Sequence, residues 1–383
     1  MAIIDRVAGN SARGIEIVKH TILYQDNDYN CFPSIVRADN GSLLMVFRKA
    51  EDPVTKFGKP THIDPGSKIV LIRSIDNGKT WSDEPRLVFD DDCGENDPCI
   101  TRLSDGSVLL TFYKWRVVPV KEERTLGTEK DREYFAVRID RERLALLEGA
   151  YCMRSKDNGE SWDGPWEISN PYYVYGKGIR GNAVELGDGT ILLPMYGVKE
   201  YGEFSRAFLM RSVDRGVTWQ FFADIASHRR KHFLEPFLYR MESGGLVAFL
   251  RTQTDFGKKP FYRTYRNLHV CYSEDGGRRW SKAQKTNVFC PNPVHALRLA
   301  HGKVLLTYGY RKKPFGIRAR LLDGECNNIS KSKELILRQD GEKPDLGYTS
   351  AVALSNREVL VVYYFNSADG YGYIAGTILD LQR

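Results

Sequence analysis

The sequence predicts an all-β protein, a six-bladed β-propeller whose N-terminal strand closes the last blade. Three observations lead to this fold. An eight-residue turn motif, Ser-x-Asp-x-Gly-x-x-Trp, occurs four times, an alternating apolar hairpin occurs six times, and no helical segment separates the copies. Four strands per unit with a period of about sixty residues are typical of propellers. Six hairpins therefore predict six blades in one domain that covers residues 1–383.

The hairpins define the blades. Each combines an alternating apolar strand, a tight turn and a second apolar strand, of which "PSIVRADNGSLLMVFR" is the clearest copy. Alternation with a period of two is the pattern of a strand with one buried face. The turn positions are Gly41, Gly106, Gly189, Gly244, Gly302 and Arg357.

The turn motif, or Asp box, has a structural explanation. Its Ser and Asp side chains can accept hydrogen bonds from nearby backbone N–H groups, its Gly can adopt a positive φ, and its Trp can pack beside the turn. We therefore interpret the box aspartates as turn formers and not as catalytic groups. They are Asp76, Asp157, Asp214 and Asp275.

The two chain ends complement each other. The sixth unit ends at "YGYIAGTILDL", one strand short, and "GIEIVKHTILY" near the N-terminus has no hairpin partner. Placing the N-terminal strand on the outer edge of the last blade closes the ring and leaves no open edge. Residues 114–148 form a charged insertion between the second and third strands of blade two, suited to an active-site flap or a subunit contact.

Composition excludes several classes of function. The chain is 42% apolar and 27% charged, and its start, "MAIIDRVAGN", lacks the features of a signal peptide. No apolar run is long enough to cross a membrane, so we expect a cytoplasmic protein. The net charge is +7, but basic and acidic residues are interleaved, which argues against a nucleic-acid partner.

No metal or cofactor is expected. The seven cysteines include no Cys-x-x-Cys pair and are interpreted as free thiols. "HRRKH" at 228–232 spaces two histidines as helical zinc ligands are spaced, but no glutamate follows the first, and the segment precedes a strand. The sequence does not indicate the oligomeric state.

Two positions per hairpin should meet at one end of the central channel. They lie nine residues before and seven residues after each turn. The first set is Phe32, Asp97, Arg180, Glu235, Pro293 and Tyr348. The second set is Arg48, Tyr113, Tyr196, Arg251, Gly309 and Tyr364, with Arg311 just beyond it.

The arginines among these ring positions predict an anionic ligand, because a guanidinium matches a carboxylate through two hydrogen bonds. They are Arg48, Arg180, Arg251 and Arg311. The alternative is a polar rim in which arginines and acids pair with each other. The expected partner is an acidic oligosaccharide or glycoconjugate.

Asp boxes on a six-bladed propeller, with strand ends rich in Arg, Glu and Tyr, resemble the sialidase (neuraminidase) superfamily over nearly the whole chain. The resemblance implies that Glu235 and Arg251 are the family's glutamate and second arginine, and that Arg311 is its third arginine. It also implies a nucleophilic tyrosine at Tyr348, in "DLGYTSAV", and an acid/base aspartate at Asp64, in "PTHIDPGSK".

One motif departs from the family pattern. Sialidases carry Arg-Ile-Pro in the first blade, where this chain has Cys31-Phe32-Pro33. The first carboxylate-binding arginine is therefore absent, and Arg48 or Arg180 is left to substitute from a neighbouring strand end. The change puts sialic acid itself in doubt as the substrate.

The resemblance implies a retaining exo-glycosidase that acts on an acidic sugar. A neutral tyrosine activated by a glutamate can attack an acidic sugar, which would repel a carboxylate nucleophile. Asp64 would protonate the leaving oxygen and then activate water, with Asp97 as the next candidate.

The sequence is also consistent with two other functions. In a polysaccharide lyase acting on uronates, Tyr348, His62 or His295 would take the proton from C5, and both histidines are also candidate substrate-binding residues. In a carbohydrate-binding propeller without turnover, Glu235 and Tyr348 would not face each other.

Overall fold

The fold is an all-β ring of six antiparallel sheets, seen in a computed structural model. The helical content is one short 3₁₀ helix among the residues that the structure describes. Those residues are 3–4, 14–51, 62–125, 136–200, 203–254, 266–366, 368 and 371–381.

Two strands precede the first blade, and the next strands form blades one and two. The preceding strands are β1 (Ile3–Ile4) and β2 (Ile15–Tyr24). Blade one contains β3 (Tyr29–Arg37), β4 (Leu43–Ala50), β5 (Ser67–Ser74) and β6 (Arg86–Phe89). Blade two contains β7 (Gly94–Arg102), β8 (Val108–Pro119), the 3₁₀ helix (Val120–Thr125), β9 (Ala136–Arg138), β10 (Arg143–Ser155) and β11 (Asp163–Glu167).

Blades three to five follow in chain order. Blade three contains β12 (Tyr175–Ile179), β13 (Val184–Glu185), β14 (Ile191–Val198), β15 (Arg206–Ser212) and β16 (Gln220–Ala226). Blade four contains β17 (His232–Arg240), β18 (Leu246–Gln253), β19 (Asn267–Ser273) and β20 (Gln284–Phe289). Blade five contains β21 (Val294–Arg298), β22 (Val304–Tyr310), β23 (Phe315–Leu322) and β24 (Glu334–Gly341).

The N-terminal strand closes the ring as predicted. Blade six contributes β25 (Gly347–Ala353), β26 (Glu358–Asn366) and β27 (Gly372–Leu381), and β2 pairs antiparallel with β27. Strand β1 adds a short fifth strand outside β2. The first and last parts of the described chain are thus joined by main-chain hydrogen bonds, which protects the edge of the last blade.

The Asp boxes form the expected turns. In the first box the Gly78 N–H donates to Ser74 Oγ at 2.8 Å, and the Thr80 N–H donates to Asp76 Oδ1 at 2.9 Å. Gly78 has a φ of 84°, which a residue with a Cβ rarely adopts. The other three boxes repeat both hydrogen bonds.

The insertion in blade two partly extends the blade. Strands β8 and β10 stay paired as far as Pro119 and Arg143, and Val118, Leu144 and Leu146 form a small buried cluster on this extension. The part of the insertion at 126–135 lies outside the described residues, so its predicted role as a flap or subunit contact stays a prediction.

The core lies between the blades. Six large apolar clusters each join the facing strands of two neighbouring blades, and together they cover all six interfaces. All seven cysteines are buried free thiols. Among the described residues, no helix has the length and apolar character that a membrane crossing requires.

Candidate active site

Four inner strands share one irregularity near their first residues. Phe32, Asp97, Glu235 and Tyr348 have φ values of 57°, 50°, 42° and 50°, in the left-handed region that residues with a Cβ avoid. All four are ring positions predicted from the hairpin alignment. In blades three and five, Arg180 and Pro293 occupy the corresponding positions without a positive φ.

The irregularity is a β-bulge in each case. On β17, Leu234 pairs with Arg251 and Phe237 with Phe249, so that three steps on the inner strand match two on its neighbour. The same count holds at the equivalent positions of blades one, two and six. A left-handed residue with a side chain costs about 1–3 kcal/mol, and such strain concentrates at functional sites. Because the strained bulge occurs in four blades, we infer that it has a functional role at this end of the channel.

The bulges of blades four and six bring a tyrosine and a glutamate together. The Tyr348 hydroxyl donates to Glu235 Oε1 at 2.6 Å. The Nη1 nitrogen of the Arg251 guanidinium donates both to Glu235 Oε2 and to the Tyr348 oxygen, the latter at 3.1 Å. The three residues are 5%, 5% and 7% exposed. The predicted pairing of Glu235 with Tyr348 is therefore present in the structure.

The surroundings keep the Tyr348 phenol protonated. Burial and the negative charge of Glu235 raise its pKa well above the ordinary value, and Arg251 partly opposes them. A phenol in this state becomes a nucleophile only when a base removes its proton. Glu235 already accepts the hydrogen bond from that proton and can act as the base.

Asp97 lies beside this pair with an unusual protonation state. Burial raises its pKa to about 7, Arg180 opposes the shift, and the charge of Glu235 adds to it. Its Oδ2 accepts a hydrogen bond from Tyr113 at 3.1 Å, and its Oδ1 has no partner among the described residues. Near neutral pH this carboxyl can therefore exist in both forms, as an acid/base catalyst requires.

A second cluster centres on Asp345, which the sequence analysis did not single out. Its carboxylate accepts hydrogen bonds from Tyr29, from Tyr364 at 2.8 Å and from Arg311 at 3.5 Å. Arg311 also donates to the Tyr364 hydroxyl at 2.7 Å. Burial would raise the pKa of Asp345, but His62 and Arg311 outweigh it and hold that pKa well below its usual range. Asp345 is therefore a permanent negative charge.

His62 faces the same carboxylate. Its Nε2 lies 3.1 Å from both Asp345 oxygens and 3.0 Å from the Tyr29 oxygen. An ionised carboxylate only accepts hydrogen bonds, so the Nε2–H of His62 is the donor and Nδ1 takes no part in these contacts. The His62 ring meets the Phe32 ring edge-on, with 4.9 Å between the ring centres. The Phe32 ring centre lies 4.7 Å from that of Tyr348. Phe32 therefore lies between His62 and Tyr348.

Arg180 has a structural position that the sequence did not indicate. Its guanidinium donates to the main-chain oxygens of Phe32, Pro33, Pro98 and Tyr348 at 3.0–3.5 Å. These carbonyls belong to the bulges of blades one, two and six. One buried side chain from blade three therefore fixes three of the four bulges. A further donor contact of this guanidinium is to Cys99 Sγ at 3.7 Å.

Three other predicted site residues are not brought into contact with Tyr348. Arg48 is fully buried, and its guanidinium donates to Cys31 Sγ at 3.7 Å. His295 packs on Phe237, and burial lowers its pKa to about 3, so the ring is neutral. Asp64 is 1% exposed and accepts from the Gly66 N–H at 2.8 Å, within its own turn.

The structure changes the roles that the sequence predicted for several residues around the channel. Four arginines were expected to bind an anion. Arg251, Arg311 and Arg180 lie beside Tyr348, but the guanidinium of Arg180 donates to main-chain oxygens. Arg48 lies against Cys31. The Asp64 hydrogen bonds among the described residues involve only residues 66 and 67. Asp345 was missed because it lies outside the hairpin alignment, although its place three residues before Tyr348, in "DLGY", was a usable signal.

Comparison with known proteins identifies the family of the chain. The model of the BNR repeat-like domain family matches residues 66–372, most of the chain. The chain belongs to the BNR repeat-like domain family. The resemblance to the sialidase superfamily is thereby confirmed.

Individual proteins similar to this chain include one of unknown function and one sialidase. A crystal structure of a protein of unknown function from Dyadobacter fermentans DSM 18053 is 33% identical, with a TM-score of 0.85 and coverage of 97% of this chain and 100% of the other. A sialidase from Bacteroides fragilis (strain YCH46) is 22% identical over 68% of this chain. The match spans 45% of that sialidase, less than half of its length.

A third relative shares the fold at lower identity. The structure of Penicillium chrysogenum α-L-arabinanase, complexed with arabinobiose, has a TM-score of 0.66 at 13% identity and covers 96% of this chain and 99% of the other. At this identity the likeness concerns the fold alone. This chain and the arabinanase therefore share an overall fold.

Proposed function

We propose that the protein is a retaining exo-glycosidase in which Tyr348 is the nucleophile and Glu235 is its base. The observation that carries the proposal is the 2.6 Å hydrogen bond from the Tyr348 hydroxyl to Glu235, with Arg251 donating to both groups. Two strained bulges, on blades four and six, hold this contact. A glutamate–tyrosine hydrogen bond that only stabilised the fold would not require a positive φ at both residues.

The reaction follows from these contacts. Glu235 takes the phenolic proton as the Tyr348 oxygen bonds to the anomeric carbon, and the glycosidic bond breaks. Asp97, protonated below its pKa of about 7, gives a proton to the leaving oxygen. In the second step Asp97 removes a proton from water as the water oxygen bonds to the anomeric carbon and the bond to Tyr348 breaks. Glu235 returns its proton to the Tyr348 oxygen, which regenerates the enzyme with net retention. Asp97 replaces Asp64 in this role because Asp64 is confined to its own turn.

The preferred sugar carries a carboxylate. The guanidinium of Arg311 lies 5.8 Å from the centre of the Tyr348 ring, and Arg251 contacts the phenol from another side. Two cations beside a neutral nucleophile suit an acidic sugar, since its charge would oppose attack by a carboxylate. An acidic oligosaccharide or glycoconjugate is accordingly the proposed partner.

Trapping of the intermediate tests the proposal. A fluorinated acidic glycosyl fluoride should leave one sugar on the peptide that contains Tyr348, detectable by mass spectrometry. A panel of aryl sialosides, glucuronides and α-L-arabinofuranosides identifies the sugar, with acidic members expected to react fastest. No adduct on Tyr348 in a protein that hydrolyses any of these glycosides would reject the nucleophile.

A polysaccharide lyase is the second candidate, favoured by the pair of His62 and Asp345. Asp345 fixes the ring so that Nδ1 can accept a proton, as a base that removes the C5 proton of a uronate requires. Such a reaction leaves a C4–C5 double bond that absorbs in the ultraviolet. Absorbance gained from a uronate oligosaccharide, without free terminal sugar, would favour this function. Binding without any product would favour a non-catalytic propeller.

A further inference from the structure

A group of basic side chains lies outside the candidate active site, between blades three and four. We call it the basic patch. It consists of Arg229, Arg230, Lys231, Lys282 and Lys285. The first three belong to the connection between β16 and β17, and the two lysines lie at and near the start of β20.

The patch borders a groove of about 920 Å³. Arg229, Arg230 and Lys282 line it together with His228, and all four are exposed. Glu203, the carboxylate in the groove wall, pairs with Arg206 at 2.7 Å. Within the ranges that the structure describes, none of the five patch residues forms an ion pair with an acid. The groove therefore has an uncompensated positive surface.

The cations are close enough to act on one another. The pKa of Lys231 is lowered by burial and by the charges of Lys285, Arg230 and Arg266. The pKa of His228 is lowered by burial and by Lys231, Arg230 and Lys282. Like charges held together in this way destabilise the folded protein, and a bound anion would relieve the repulsion.

Lys231 is held in place, unlike an ordinary surface lysine. Its ammonium donates to His269 Nε2 at 3.2 Å. The other ring nitrogen of His269, Nδ1, lies 2.9 Å from the Asn267 main-chain oxygen and donates to it. Burial lowers the pKa of His269 to about 4, which keeps the ring neutral and able to accept from Lys231. The position of this cation is thus fixed before any ligand arrives.

The patch lies at the same end of the propeller as the candidate active site. Lys231 precedes Glu235 by four residues on the connection into β17. At about 3.3 Å per extended residue, this is a distance of about 13 Å along the chain. A linear chain with its terminal sugar beside Tyr348 could therefore reach the groove within a few sugar units.

From this arrangement we infer that the basic patch binds the body of an anionic polysaccharide, a chain with carboxylate or sulfate groups along its length. The choice of a glycan rests on the proposed glycosidase function. Short runs rich in Lys and Arg favour polyanionic glycans because they contact successive anionic groups. The patch would then hold an inner part of the chain while its end is cleaved.

The test reverses two exposed charges. The double variant Arg229→Glu, Arg230→Glu is compared with the control Lys79→Glu, Lys303→Glu, which reverses two exposed charges at the opposite end of the hairpins. Calorimetry measures binding of polygalacturonate, linear arabinan, inorganic sulfate and a short DNA duplex to each protein. We expect the patch variant to bind polygalacturonate at least tenfold more weakly, the control to bind like the parent protein, and arabinan not to bind.

The outcomes separate this inference from the proposed function. Equal polygalacturonate affinity in the patch variant and the parent would overturn the inference, and so would tighter binding of DNA than of polygalacturonate. Binding of sulfate alone would reduce the patch to a site for small anions and also overturn it. Turnover of an aryl glycoside, which is too short to reach the groove, should be unchanged in the patch variant. If no glycoside is hydrolysed but polygalacturonate binding still depends on the patch, the glycosidase function is rejected and the inference about the patch is supported.

Discussion

Replacing Tyr348 with Phe removes one oxygen atom and leaves the rest of the residue in place. The ring keeps its contacts with Phe32 at 4.7 Å and Tyr364 at 5.9 Å, and Phe accepts the left-handed backbone at the same cost as Tyr. The lost interactions are the hydrogen bonds to Glu235 and from Arg251. Hydrogen bonds to charged groups contribute about 1.5–3 kcal/mol, and Glu235 keeps Arg251 as a partner. We expect the free energy of unfolding to fall by about 1–3 kcal/mol.

The effect on catalysis should be much larger. Without the phenol no covalent intermediate can form, and kcat on an aryl glycoside should fall by about 1,000-fold or more, equivalent to about 4 kcal/mol at 1.36 kcal/mol per tenfold. The assay compares kcat and kcat/KM with the thermal midpoint. A loss of stability of this size should leave the variant folded at the assay temperature.

Tyr364→Phe is the matched control. Its hydroxyl donates to Asp345 at 2.8 Å and accepts from Arg311 at 2.7 Å, so the same kind of charged hydrogen bonds is lost beside the site. We expect a similar change in thermal midpoint but a loss of kcat below about tenfold. If both variants lose activity equally, or if Tyr348→Phe keeps more than a tenth of the parent rate, Tyr348 is not the nucleophile.

Three further variants test other parts of the site. Asp97→Asn should abolish the decline of kcat/KM that the parent shows as pH rises through about 7, because the proton donor of the parent is lost there; an unchanged profile would exclude Asp97. Asp345→Asn should tighten binding of an acidic sugar several-fold, since it removes the negative charge beside Arg311; weaker binding in a titration would contradict this. Arg180→Met leaves several bulge carbonyls unsatisfied, and we expect denaturant unfolding to show a loss of at least about 3 kcal/mol.

The sequence determined the blades because their signals are local. A turn needs its Gly and its Ser and Asp acceptors within a few residues, and a strand shows its buried face through alternation. The period between hairpins then fixes the number of blades, and the missing strand of blade six fixes the closure by β2. None of these steps depends on contacts between distant residues. The same alignment placed Glu235 and Tyr348 at equivalent positions, and the resemblance to sialidases implied their roles.

The site was harder to predict because its side chains depend on the bulges. The alignment placed Phe32, Asp97, Glu235 and Tyr348 at equivalent positions, but nothing in it showed that four inner strands bulge there. Once these bulges release carbonyls from the ladders, a buried donor must satisfy them, and Arg180 does so. An arginine at a channel position therefore has two possible partners, the substrate and the backbone. Residue type and spacing do not distinguish between them.

The charges around Tyr348 determine which groups an acidic substrate would have to compete with. Arg251 is paired with Glu235, and Arg311 lies 3.5 Å from Asp345, so neither guanidinium faces an empty site. A substrate carboxylate would have to share Arg311 with Asp345, an anion whose pKa is held low by His62 and Arg311 themselves. A neutral sugar would meet no such competition and could donate its hydroxyl groups to Asp345 and to Asp97 Oδ1, which is buried without a partner among the described residues. The affinity of Asp345→Asn for acidic and neutral ligands therefore separates the two substrate classes: tighter binding of the acidic sugar alone supports the carboxylate, and weaker binding of the neutral sugar would assign Asp345 to hydroxyl recognition.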